Sequence, residues 1–119
     1  MKTGDLKRKS YEFSLSITGI SKKLEQQRQF SFASQLFRSG TSIGANIREA
    51  GNSESRADFI HKLKIAIKEA EETEYWLDLL RDTNENIYQA SSHTELKSII
   101  KMLAKSIITA KKNQQMNKL

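Results

Sequence analysis

The chain reads as all-α, an up-down antiparallel bundle of four helices in a single domain over residues 1–119. Three observations predict it. Apolar residues recur at three- and four-residue spacing in four separate stretches, the period of one face of an α-helix. No stretch alternates with period two, so no strand is expected. The polar connections between the stretches are short, which makes successive helices antiparallel neighbours.

The first helix is expected over about 10–27, after a basic leader of Lys2, Lys7, Arg8 and Lys9, with Phe13, Ile17, Ile20 and Leu24 as its seam. A polar patch from Gln26 to Gln29 ends it, and Ser31 can cap the amides of the next helix. The second helix, about 31–50, places Phe32, Leu36, Gly40, Ile43 and Ile47 on one face. It breaks local rules in doing so, because Gly40 and Gly44 each cost about 1 kcal/mol against alanine in a helix interior. Such a run survives if packing compensates, since two missing side chains four residues apart let another backbone come close. A break near Gly40 into two short helices is the competing reading. Gly51 is placed to end the helix as a left-handed C-cap.

The third helix, about 55–86, opens on Ser55 and Asp58, which resemble a capping box. Its seam is the most regular in the chain: Phe59, Leu63, Ala66, Ala70, Thr73, Leu77 and Leu80. Ile60, Ile67, Tyr75, Trp76 and Leu79 widen the stripe, so this helix should pack on more than one side. The fourth, about 92–114, starts at the S-x-x-E box of Ser92 and Glu95 and carries Leu96, Ile99, Ile100, Leu103, Ile107 and Ala110.

The chain has no proline and no cysteine, which excludes disulfides and thiolate metal sites. No run approaches the ~20 apolar residues of a membrane span, and no apolar leader core follows the first residues, so a cytoplasmic protein is expected. The formal charge of +6 is unevenly spread: residues 1–48 are net +6, 49–95 net −6, and 96–119 net +6 with six lysines and no acid. An up-down bundle collects the start of helices one and three and the end of helices two and four. That end should be basic, and Lys9, Arg48, Lys62, Lys105, Lys111 and Lys112 are the candidate contacts for a phosphate backbone. The plainer alternative is a solvated face with i,i+4 pairs such as Lys68 with Glu72.

Gly40, Ser42, Gly44 and Asn46 are read as devices for helix packing and assembly, with Ser42 and Asn46 hydrogen-bonded to a neighbouring element. Tyr75 and Trp76 are assigned to core or subunit-interface burial ahead of base stacking. Asp58 and His61 form a D-x-x-H pair, but a di-iron bundle needs two E-x-x-H motifs and two further carboxylates, and His93 has Ala90 three residues before it. No metal and no cofactor are therefore expected. With no phosphate-cradling glycine loop and no nucleophile-base motif, the chain is not read as an enzyme.

Residues 35–80 carry the pattern Q-L-x-R-S-x-T-S-I-x-A-N-I-x-E-A followed by S-x-x-D-F-I-H-K-L-x-I-A-x-K-E-A-E-E-T-x-Y-W-L. This resembles the four-helix-bundle family first noted in intervening sequences of bacterial large-subunit ribosomal RNA genes, and the flanking helices fit the same layout. Members commonly have proline where Gly44 stands, so this chain should lack a proline kink there. The resemblance implies a ring-forming bundle, a homopentamer. It extends to the accessory variability proteins of diversity-generating retroelements, which share the bundle, form pentameric barrels and bind nucleic acid and a reverse transcriptase. A bundle that binds RNA or DNA through a basic surface is the resulting expectation; a protein-interaction scaffold is the alternative.

Overall fold

The computed structural model describes residues 3–116. Four helices run α1 Gly4–Gln26, α2 Phe30–Gly51, α3 Arg56–Thr83 and α4 Ala90–Met116. Each packs on its neighbours in sequence, and α1 closes the bundle against α4. The result is an elongated body of 56 × 21 × 19 Å, of which α3, the longest helix at 28 residues, spans about 42 Å at 1.5 Å per residue.

The seams are buried. Phe13, Ile17, Ile20 and Leu24 of α1 meet Leu36, Ile43 and Ile47 of α2, the α3 run from Phe59 to Leu80, and Leu96, Ile99, Leu103 and Ile107 of α4. Leu6 and Ser10 extend the α1 seam toward the N-terminus, which is why that helix begins at Gly4 and not near residue 10. Phe32 is only partly buried, against Trp76, and Ala33 fills the core position beside it.

α2 is continuous through both glycines. A Cβ at Gly40 would lie 2.8 Å from Cγ2 and 3.0 Å from Cγ1 of Ile17, and one at Gly44 would lie 3.4 Å from the Ser10 carbonyl oxygen. Gly40 is thus the point where α1 presses on α2, and Gly44 lies beside the small residues Ser10 and Ser14. On its other flank α2 is joined to α3 by the fully buried Ser39 and Thr73 hydroxyls, 2.9 Å apart. Ser42 and Asn46 do not reach a neighbour. Their side chains hydrogen-bond back to the carbonyls of Arg38 and Ser42, four residues earlier, the local alternative that Ser and Asn offer within a helix.

Several expected caps fall elsewhere. Gly51 is helical, and no glycine among the described residues has positive φ. The left-handed residue is Arg28, at φ 62°. Its N–H donates to Glu25 at 2.8 Å and the Gln29 N–H to Leu24 at 2.9 Å, the paired bonds of a Schellman turn with arginine in the glycine position. Gln29, not Ser31, stands at the start of α2 and makes no side-chain cap. Ser55 does cap α3, accepting from the Asp58 N–H at 3.0 Å. Ser92 does not cap α4; it lies inside the helix, buried, with its hydroxyl unpartnered among the described residues.

The end of the bundle where α1 and α3 finish is pinned by side chains. Asn84 donates to Gln27 at 2.8 Å, joining the α1–α2 and α3–α4 connections. Asp78, His93 and Tyr88 form a chain, with His93 Nε2 2.7 Å from the carboxylate and Nδ1 2.5 Å from the phenol.

Candidate nucleic-acid interface

α4 has no acid after Glu95, and four of its five lysines, Lys97, Lys101, Lys105 and Lys112, fall with exposed Ile108 at four, four, three, four spacing. Leu96, Ile99, Leu103, Ile107 and Ala110 are the buried side of the same helix. The lysines therefore form one outward row along α4, about 22 Å from first to last at 1.5 Å per residue. All four are exposed, and none has an acid partner among the described residues. Like charges four residues apart cost a helix about 0.2–0.5 kcal/mol per pair.

Lys9 of α1 joins this row. It is half-buried, its Nζ 3.5 Å from Ser98 Oγ, in a shallow groove that also holds Lys97 and Lys101. Lys105 looks two ways, onto the row and into a cleft shared with Arg56 of α3. Lys111 and Lys112 lie exposed in the last turns of α4.

Two of the six expected contacts are drawn off. Lys62 pairs with Glu49 at 3.3 Å, and the Arg48 guanidinium sits 5.9 Å above the Tyr11 ring on the α1–α2 side. Lys97, Lys101, Lys105 and Lys112, with Lys9 beside them, form a basic face along α4 and the adjoining turn of α1, and Arg56, Lys111 and Lys112 carry positive charge to the end of the bundle where α3 starts and α4 finishes. Lys97 and Lys101 were outside the expected set, although their spacing in an acid-free helix is a visible signal. Lys2 lies outside the described residues.

Tyr75 is 60% exposed, while Trp76 is partly buried between Phe32 and a polar clamp. Arg38 of α2 bonds Glu69 at 3.2 Å and also pairs with Glu72, whose carboxylate accepts from Trp76 Nε1 at 2.9 Å. The indole N–H and then the Arg38 charge hold the Glu72 carboxyl below its usual range. Glu72 therefore belongs to the α2–α3 clamp and not to a pair with Lys68. Asp58 and His61 are exposed, and no cluster of three possible metal ligands occurs among the described residues. No helix among them is long and apolar enough to cross a membrane.

The family model described as 23S rRNA-intervening sequence protein matches residues 2–109. Among solved structures, the chain is similar to a protein of unknown function from the S23 ribosomal protein family of Bacteroides thetaiotaomicron, at 48% identity and a TM-score of 0.81, covering 90% of this chain and 98% of that one. Among curated proteins none matches.

Proposed function

This chain belongs to the 23S rRNA-intervening sequence protein family, and from that premise we propose that it is a non-catalytic, cytoplasmic accessory factor that binds RNA or DNA through backbone electrostatics. The observation that carries the reading is the unpaired row of Lys97, Lys101, Lys105 and Lys112 on α4, with Lys9 beside it. Lysine is a point charge suited to phosphate oxygens, and a straight row with no aromatic residue offers nothing to read a base edge or stack a base. Binding should therefore be strong at low salt and indifferent to sequence.

Fluorescence anisotropy with a labelled duplex across a salt series tests this. The log-log slope should be about −0.9 per phosphate neutralised, so four lysines give about −3.6. Replacing Lys97, Lys101 and Lys105 by glutamine should remove about 0.9 from the slope for each. Failure to bind any RNA or duplex at low salt refutes the proposal.

The assembled form we propose is a homo-oligomer, a homopentamer in the family's manner. Exposed Tyr11, Leu15, Phe37 and Tyr75 support it, since each leaves a large apolar surface in water on the single chain. Light scattering should then give five copies of a 13.6 kDa chain, about 68 kDa, and a clean monomer would exclude it. The same side chains favour a second reading, a scaffold for a protein partner. Loss of nucleic acid with partner binding intact in the triple glutamine variant separates the two.

A further inference from the structure

Beyond the lysine row, the first turn of α3 and the last turns of α4 enclose a cleft lined by Arg56, Lys105, Ser106, Thr109 and Asn113 over a floor of buried Phe59. Two cations from different helices converge there, neither with a carboxylate partner among the described residues. The neutral donors are also uncommitted. Ser14, Thr18, Thr41, Ser42, Thr73 and Thr83 each bond a carbonyl four residues back along their own helix; Ser106, Thr109 and Asn113 have no such partner among the described residues.

We infer that this cleft binds a phosphate monoester, with Arg56 and Lys105 gripping the dianion from two helices and Thr109 and Asn113 donating to its remaining oxygens. Two cations and three neutral donors in one cleft match a dianion better than the single negative charge of an internal phosphodiester. They suit the three oxygens and near-double charge of a terminal phosphate. Arg56 supplies a planar fork that can hold two oxygens at once, which a lysine cannot. The inference rests on the proposed nucleic-acid reading only for the source of the phosphate: a 5′-phosphorylated strand end or the free ion.

Calorimetric titration of the full chain with a 5′-phosphorylated dinucleotide, its 5′-hydroxyl counterpart and inorganic phosphate tests it. The phosphorylated form should bind about tenfold or more tighter than the hydroxyl form, the ratio for one charge-assisted contact of about 1.4 kcal/mol. Arg56→Lys keeps the charge and loses the fork, and should weaken the phosphorylated ligand about fivefold. Asn113→Ala, in the final turns of α4, should also weaken it, and Lys97→Gln should not. Inorganic phosphate matching the dinucleotide assigns the cleft to the free ion; weaker binding of the ion assigns it to strand ends.

If the two dinucleotides bind alike, or Arg56→Lys is silent, the cleft is overturned, and it is overturned alone if a long RNA still binds and responds to Lys97→Gln. Phosphate capture without any binding of long RNA upholds the cleft and overturns the nucleic-acid reading.

Discussion

Substituting Gly40 and Gly44 separately by alanine should move stability in opposite directions, although both are glycines in the interior of one helix. At Gly40 the new methyl would lie 2.8 Å from Ile17 Cγ2 and 3.0 Å from Cγ1. Ile17 is fully buried and branched at the contact point, so it has no flexible end to swing away. Overpacking of this kind costs about 1–3 kcal/mol, against a helix-propensity gain of about 1 kcal/mol or less. Gly40→Ala should therefore be destabilising by about 1 kcal/mol, with a range from zero to about 2. At Gly44 the nearest atoms are at 3.4 Å, the edge of ordinary contact, and the propensity gain of about 0.5–1 kcal/mol should dominate. Urea unfolding followed by circular dichroism measures both, and the midpoint should fall for the first variant and rise for the second at unchanged slope. The control is Ile17→Ala, which itself costs about 2–5 kcal/mol. In that background the obstructing atoms are gone, and Gly40→Ala should become neutral or stabilising. If Gly40→Ala raises the midpoint as Gly44→Ala does, or has the same effect with and without Ile17, then α1 and α2 are not pressed together there.

Arg28→Gly should raise stability by up to about 1 kcal/mol, because an L-residue in the left-handed region is strained by about 1–2 kcal/mol and glycine returns part of that as chain entropy; thermal unfolding reads it, and a loss would contradict the turn. Ser92→Ala removes a buried hydroxyl with no partner among the described residues and should stabilise by about 1 kcal/mol in the same assay. Glu72 has a depressed folded pKa, so its contribution is present above the ordinary value of 4.5 and is lost as pH falls through the folded value. Glu72→Gln should flatten the acid side of the stability profile below about pH 4.5, by less than about 1 kcal/mol because the clamp is partly exposed. Trp76→Phe should shift the same limb while leaving Arg38 in place, and a profile identical to the parent would remove Glu72 as its cause.

What the residues revealed in advance was the seam, because burial is written in periodicity. Phe59 to Leu80 repeats so regularly that α3's buried face follows from spacing alone. Caps were less legible, because their signals are local and the deciding forces are not. Ser92 stands in an S-x-x-E box, but it also lies four residues before Leu96, in register with Leu96, Ile99 and Leu103; the core took it and the helix began earlier. Gly51 looked like a terminator, yet its neighbours kept helical geometry, whereas Arg28 was forced left-handed by a connection only three residues long. The basic surface was half legible. Topology gathers cations at one end, but it cannot foresee that Glu49 occupies Lys62 or that Tyr11 holds Arg48. Spacing within α4, which needs no topology, pointed to Lys97 and Lys101.

The chain of Asp78, His93 and Tyr88 bears on motion. It ties the first turn of α4 to α3 and to the connection between them, while beyond Ala110 the described part of α4 buries no residue. Helix openings follow such differences in anchoring. Amide exchange should be slow near His93 and through the seam to Leu103, then quicken over Lys111 to Met116. The lysine row is thus mounted on an arm clamped at one end and compliant at the other, so that its last member, Lys112, can shift without loosening the core.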